Sequence, residues 1–265
     1  MPIEVKSVVR VAGGLLVKFS HASKEIGLPM TASLFLPTSA LALEEALTES
    51  ADKKFPVLMY LSGLTCTDDN VCQKGGAFAA CMAQGVALLC PDTSPRGANC
   101  AGEDDSWDLG TGAGFYVDAT QAPWNEHYRM YSYVTEELPA LLREDFPLCD
   151  ARRMGITGHS MGGHGALTCA LKRPDLFKSV TAFAPICNPS SCPWGRKAFS
   201  SYLGSVEAGA SYDAALLLAQ RQPGTEPLFD NILVDVGAAD SFFTQGQLLP
   251  EALEAAAAQA GQPLS

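Results

Sequence analysis

Arg153-Met154-Gly155-Ile156-Thr157-Gly158-His159-Ser160-Met161-Gly162-Gly163-His164-Gly165 is the stretch whose reading decides the fold. It begins as a short apolar strand and turns sharply through Gly158-His159-Ser160-Met161-Gly162. It then runs into Ala166-Leu167-Thr168-Cys169-Ala170-Leu171-Lys172, a helical pattern. Glycine two residues either side of a serine, between strand and helix, suits a tight turn that neighbouring backbone approaches closely. Such a turn strains the serine and lifts its hydroxyl above the sheet. The amide of Met161, at the helix start, then points at a developing oxyanion.

The pattern around this turn alternates strand and helix. Val57-Leu58-Met59-Tyr60-Leu61 and Val86-Ala87-Leu88-Leu89-Cys90 are continuous apolar runs, as for strands buried on both faces. Before them, residues 7–20 break at Gly13-Gly14 and predict a hairpin, and Met30 to Pro37 alternates as a further strand. Residues 40–51 are rich in alanine, leucine and glutamate. Gly76 to Gln84 reads as a helix closed by Gly85. Tyr128 to Asp145 reads as an amphipathic helix with Met130, Tyr133, Val134, Leu138, Leu141 and Leu142 on its apolar side. Beyond the turn come a strand at 179–184, a mixed helical excursion at 186–229 and a late strand at 231–236. A closing helix spans 247–259. Residues 93–124 form a long segment rich in glycine, aspartate and aromatics, and a loop of that length is usually functional. The whole predicts an α/β fold, with a mainly parallel central sheet, helices on both faces and antiparallel strands at the N-terminus. With no internal repeat or linker, residues 1–265 read as a single domain.

Composition narrows the class. The chain is 47% hydrophobic and 18% charged, enough apolar residues for a large core. A net charge of −11 argues against nucleic acid or an anionic membrane as partner. No apolar run reaches the length of a membrane span, and Met1-Pro2-Ile3-Glu4-Val5-Lys6 has no signal-peptide pattern. The nine cysteines are scattered, without a C-x-x-C pair; Cys187 and Cys192 have four residues between them. They read as reduced thiols, with no metal site and no cofactor implied.

A serine hydroxyl needs a histidine to take its proton, and that histidine needs a carboxylate to orient it. In α/β-hydrolases the chain order is Ser, then Asp or Glu, then His. Ser160 supplies the first. Asp240, past the end of the late strand, is the better candidate for the second, with Asp235 as the weaker alternative and a turn or helix-capping aspartate as the plainer reading. The third has no candidate. The four histidines are His21, His127, His159 and His164, and none follows Asp240. His159 should point away from Ser160. His164 reads as a hydrogen-bonded structural residue, His127 as the end of the long loop, and His21 as a surface loop residue.

Several blocks together carry a resemblance. They are Tyr60-Leu61-Ser62-Gly63-Leu64-Thr65-Cys66-Thr67, Pro91-Asp92-Thr93-Ser94-Pro95-Arg96-Gly97 and Gly110-Thr111-Gly112-Ala113-Gly114-Phe115-Tyr116-Val117-Asp118-Ala119-Thr120. Tyr128 to Val134, the Ser160 turn, Phe183-Ala184-Pro185-Ile186-Cys187-Asn188-Pro189 and Gly246-Gln247-Leu248-Leu249-Pro250 complete the set. In that order they resemble the S-formylglutathione hydrolase (esterase D) family over nearly the whole chain. The resemblance implies an α/β-hydrolase fold and a cytoplasmic serine thioesterase in formaldehyde detoxification, acting on a glutathione thioester and on simple esters, often as a homodimer. It implies Ser160 as nucleophile, Asp240 as orienting acid, and the backbone amides of Leu64 and Met161 as oxyanion hole. Cys66 would lie near the site, with Trp107 and Tyr116 lining the cleft. Arg96, Lys74 and Arg196 are candidates for the glutathione carboxylates, each otherwise a solvated surface charge. It also implies a further strand, a histidine-bearing loop and a closing helix beyond Ser265. On that expectation the 265-residue chain is C-terminally short, exposes apolar surface at a sheet edge and is nearly inactive. A related esterase or acyltransferase, and a catalytically dead binding protein, are the competing readings.

Overall fold

The computed structural model describes residues 3–40, 42–48, 54–222 and 224–265. Its sheet is built from β1 (Glu4–Val11), β2 (Gly14–Ala22), β3 (Pro29–Leu36), β4 (Phe55–Leu61), β5 (Ala87–Pro91), β6 (Cys149–His159), β7 (Phe177–Phe183) and β8 (Ile232–Asp235). The spatial order is β1-β2-β3-β5-β4-β6-β7-β8. The first three strands pair antiparallel, as does β3 with β5, and all later pairs are parallel. This is the α/β arrangement that the alternating pattern predicts. The hairpin turns at Ala12-Gly13, and both residues take positive φ.

The register sets up the site. Leu61 lies opposite Gly158, Gly158 opposite Ala182, and Ala182 opposite Val234. Four parallel strands therefore end at one level, and the loops that leave them share the carboxyl edge where such sheets carry their chemistry.

One face is well covered. Met154, Ile156, Val180, Ala182 and Ile232 are buried there beneath α5 (Leu138–Asp145) and α6 (Met161–Lys172), with α8 (Ala214–Ala219) against α6 and α10 (Pro250–Ala260) against α8. On the other face α2 (Asp69–Lys74) and α3 (Phe78–Gln84) cover Phe35, Leu88 and Cys90. Over β6, β7 and β8 no described helix follows, and Phe183 and Leu233 remain 39% and 43% exposed. Parallel strands are ordinarily buried on both faces, so this apolar stretch stands out. At the β8 edge, Pro263 to Ser265 begin a parallel ladder. Ile232 N donates to Pro263 O, Ser265 N to Ile232 O, and Val234 N to Ser265 O, at 2.8–3.0 Å.

Two helices depart from the expected pattern. The predicted 128–145 helix is α4 (Met130–Ser132), a π-helical turn (Tyr133–Glu137) and α5. Pro139 in the first turn of α5 has no N–H to give to the preceding turn, so the backbone widens there. The freed Thr135 carbonyl accepts instead from Arg173 Nη1 at 3.5 Å. In the alanine-rich stretch, α1 (Leu43–Thr48) forms as a short helix, and residues 41 and 49–51 lie outside the described residues. The 186–229 excursion contains α7 (Pro193–Leu203), two 3₁₀ turns and α8. Sequence reading missed α2 and the short α9 (Ser241–Thr244). Each is about a single turn or two, too short to show a period.

Candidate active site

Ser160 has φ 58° and ψ −121°, which an L-residue adopts only when its surroundings impose it. The surroundings do. A Cβ on Gly158 would stand 2.2 Å from Gly162 O, and one on Gly162 would stand 1.9 Å from Leu61 O. Strand end and helix start touch through bare backbone, so side chains at these two positions would push them apart. The serine is pinned further by Ser160 N donating to Phe183 O at 2.9 Å. His164 N and Ile186 N donate to its carbonyl at 3.0 and 3.4 Å. Ser160 thus sits at the N-terminus of the 12-residue α6, whose first amide is that of Met161. A helix N-terminus favours negative charge.

Facing it is the turn after β4. Cys66 N donates to Gly63 O at 3.3 Å, closing a four-residue turn with Leu64 and Thr65 at its centre. Thr65 takes φ 67°, and its amide is held by Gly112 O at 2.9 Å. Positive φ at the third position is the signature of a type II turn, here carried by a β-branched residue. The turn packs directly on the serine, because a Cβ on Gly63 would lie 3.1 Å from Ser160 Cβ. The Leu64 and Met161 amides therefore belong to two backbone segments that meet over one side chain.

Asp240 lies in the loop after β8 and caps α9, with Oδ1 accepting from Phe242 N at 2.7 Å. The cap fixes the carboxylate at the carboxyl edge, and its charge reaches His159, where it partly offsets the burial that lowers that imidazole's pKa. Asp235 is exposed, and its carbonyl accepts from Ala184 N at 2.6 Å.

The family model for "putative esterase" matches residues 23–264. The S-formylglutathione hydrolase of Rattus norvegicus is 51% identical over 253 residues, 95% of this chain and 84% of that one. The Arabidopsis thaliana S-formylglutathione hydrolase is 48% identical, over 93% of this chain and 82% of its own length. The solved structure of an Agrobacterium tumefaciens S-formylglutathione hydrolase superposes with a TM-score of 0.88 at 43% identity, covering 98% of this chain and 88% of that one. This chain belongs to the S-formylglutathione hydrolase family. A Staphylococcus aureus fluorophosphonate-binding serine hydrolase, 18% identical with a TM-score of 0.68 over 95% of this chain and 89% of its own, shares the fold. As a member of the family the chain is a hydrolase, and its substrate is a small molecule. Among the described residues no helix is long and apolar enough to cross a membrane. Nor does any group of three or more His, Cys, Asp or Glu side chains there have the arrangement to hold a metal.

Within this family frame, several side chains fall elsewhere than sequence reading put them. Tyr116 does not line a cleft. It is wholly buried, and its hydroxyl donates to Ser62 O at 2.8 Å from beneath the turn. His21 is not in a surface loop. It is buried on β2, with Nε2 3.2 Å from the Tyr133 hydroxyl and its ring stacked on that phenol. The alternation of β2 carried that signal, since His21 shares the inward face with Phe19 and Val17. Arg96 is not a free surface charge. It binds Asp92 through Nε and Nη2 and donates to Cys66 O at 2.9 Å. Lys74 and Arg196 are exposed.

His164 and His127 lie where the sequence puts them. His164 is fully buried and donates through Nε2 to Phe115 O at 3.0 Å. His127 bonds Ile26 O through Nδ1 at 2.8 Å. His159 ends β6, its Nδ1 3.6 Å from where a Cβ on Gly63 would lie. No side-chain hydrogen bond joins any of the four histidines to Ser160 or Asp240 among the described residues. Cys66 closes the turn after β4, and burial pushes its thiol pKa up. Trp107 is 55% exposed and packs edge-on against Trp194 at 5.6 Å, which packs against Phe242 at 4.8 Å. Lys197 on α7 ties down both neighbours of Trp107, reaching Ser106 at 2.7 Å and pairing with Asp108. The chain thus runs aromatic contacts from the long loop to the helix that Asp240 caps.

Proposed function

We propose that this chain is a single-domain serine thioesterase and carboxylesterase that hydrolyses S-formylglutathione to glutathione and formate. The observation that carries the reading is the strained backbone of Ser160, at φ 58°, wedged between the Gly63 turn and the first turn of α6. Strain at one non-glycine residue persists where structure over-determines it, as at a nucleophile. Family membership supports the substrate class, as the S-formylglutathione hydrolases are similar over nearly all of this chain. Cytoplasmic location and homodimer formation belong to the same proposal.

In this reading Ser160 Oγ attacks the thioester carbonyl carbon while its proton passes to a water molecule. The carbonyl electrons move to oxygen, and the amides of Leu64 and Met161 receive the oxyanion. Collapse breaks the C–S bond and releases glutathione thiolate, which takes up a proton. A thiol near pKa ~8.5 leaves more readily than an alkoxide, so the first half-reaction suits a thioester. Water then attacks the formyl ester on Ser160, the bond from the formyl carbon to Oγ breaks, Oγ takes up a proton to restore the hydroxyl, and formate leaves with the second proton released to solvent. Asp240 serves as the orienting acid, Cys66 lies beside the site, and Trp107 lies at the far end of the aromatic contacts leading to Asp240.

The test compares S-formylglutathione with p-nitrophenyl acetate and simple acetyl thioesters. Ser160→Ala is expected to lower each rate toward that of the uncatalysed reaction, a smaller drop than the roughly 10⁴-fold seen when a complete triad loses its serine, because no histidine side chain is hydrogen-bonded to Ser160 among the described residues. A rate unchanged by that substitution would remove the reading. A preference for acetyl donors over the formyl thioester would favour a related esterase or acyltransferase. One observation favours the dead binding protein as a second reading, namely that among the described residues no histidine side chain is hydrogen-bonded to Ser160. Glutathione binding without Ser160-dependent hydrolysis would decide for it.

A further inference from the structure

The two amides assigned to the oxyanion hole lie on separate segments, and nothing in either segment alone sets their spacing. A third segment joins them. Residues 110–117 of the long loop run beneath both. Gly112 O accepts from Thr65 N at 2.9 Å on the far side of Leu64. The Tyr116 hydroxyl donates to Ser62 O at 2.8 Å on the near side of Gly63. The same loop grips α6: His164 Nε2 donates to Phe115 O at 3.0 Å, and the Tyr116 ring lies so close to Gly165 that a Cβ there would stand 2.4 Å from its Cδ2.

The loop is held rigidly for this purpose. Phe115 and Tyr116 are consecutive non-glycine residues at φ 49° and 51°, a conformation bulky side chains avoid unless packing imposes it. Tyr116 is fully buried, and burial raises its pKa far enough that the phenol stays a neutral donor. Ser62 Oγ is buried without a partner, so its carbonyl contact with Tyr116 is the polar anchor that the structure gives Ser62 from the loop.

We infer that Tyr116 is a positioning residue for the oxyanion hole, setting the place of the Gly63-Leu64 backbone relative to Met161. The inference rests on Ser160 being the nucleophile. The Tyr116 hydroxyl touches no reacting atom; it acts through Ser62. Its removal displaces one donor without deleting it, so the cost is smaller than the ~10²–10³ of losing a donor outright.

The experiment uses the full chain with Tyr116→Phe, which removes one oxygen from a buried ring. Tyr133→Phe is the control, a buried tyrosine that loses its contact with His21. Three quantities are read: kcat and KM for p-nitrophenyl acetate, and hydrogen exchange of the Thr65 amide by NMR. Tyr116→Phe is expected to lower kcat about tenfold at unchanged KM and to speed Thr65 exchange about tenfold, an effect of partial misplacement. Tyr133→Phe should change neither. Unchanged kcat, unchanged Thr65 exchange, or a loss shared equally by Tyr133→Phe overturns the inference. If Ser160→Ala kept the wild-type rate, the nucleophile reading would fall instead, and Thr65 exchange would still decide whether Tyr116 holds the turn.

Discussion

Replacing Gly162 by alanine tests whether strand end and helix start must touch. A Cβ at this position would lie 1.9 Å from Leu61 O, 2.4 Å from Leu61 C and 2.6 Å from Ser62 O. All three are backbone atoms, so no side chain can rotate away. Carbon contacts settle near ~3.5 Å, so β4 and α6 must part by more than ~1 Å. Alanine gains about 1 kcal/mol over glycine inside a helix. Overpacking costs about 1–3 kcal/mol, and a clash with backbone from two residues belongs at the upper end. The net loss is about 2 kcal/mol, or about 4–8 °C in Tm for a chain of this size. Catalysis suffers more. The same separation moves the Leu64 amide away from the Met161 amide, and a ~1 Å misplacement costs about 10²-fold. Thermal melts by circular dichroism and p-nitrophenyl acetate hydrolysis measure the two effects. A Gly162→Ala protein that melts with the wild type and keeps its kcat would refute the reasoning.

Three further outcomes follow from the same geometry. His164 is pushed down to about 4 by burial, from an ordinary value of 6.5. The unfolded chain therefore binds this proton first, and stability is full above about pH 6.5 and falls as pH drops toward about 4, by about 3 kcal/mol in total. His21, also lowered by burial, adds slope of the same sign. Tm measured across that window should fall, and His164→Gln should flatten the fall. With no histidine side chain hydrogen-bonded to Ser160 among the described residues, the 265-residue chain should turn over p-nitrophenyl acetate with kcat roughly 10⁴-fold below the ~10 s⁻¹ usual for enzymes. A kcat near the usual value, abolished by Ser160→Ala, would show that a base is in place. Finally, burial raises the Cys66 thiol, so iodoacetamide should modify it slowly at neutral pH and faster as pH rises. Rapid alkylation at neutral pH would contradict that burial.

Local chemistry made much of the molecule legible in the amino-acid order. Glycines flanking Ser160 announced the turn because the contact they permit, 1.9 Å and 2.2 Å for a hypothetical Cβ, is intolerable for other residues. Continuous apolar runs marked β4 and β5 because strands buried on both faces have no polar side to show. Gly85 marked the end of α3, where it takes φ 64°. Asp240 could be placed past β8 because a strand ending in Gly-Ala-Ala-Asp must turn there.

Tertiary structure decided what no local pattern encodes. Tyr116 looks like a loop residue in one dimension, yet it is buried with its hydroxyl on a carbonyl 54 positions away, and the β2 alternation that turns His21 inward does not name the Tyr133 hydroxyl, 112 positions on, as its partner. Tyr133 caps one and Ser62 receives the other. The spacing of the Leu64 and Met161 amides depends on strand register, on bare backbone at Gly158 and Gly162, and on the loop that grips both segments. Side-chain identity specified the serine turn by itself, because the strain there is set by adjacent residues. The spacing of those two amides depends on three distant segments, and distance in sequence carries no information about which carbonyl a buried hydroxyl will find.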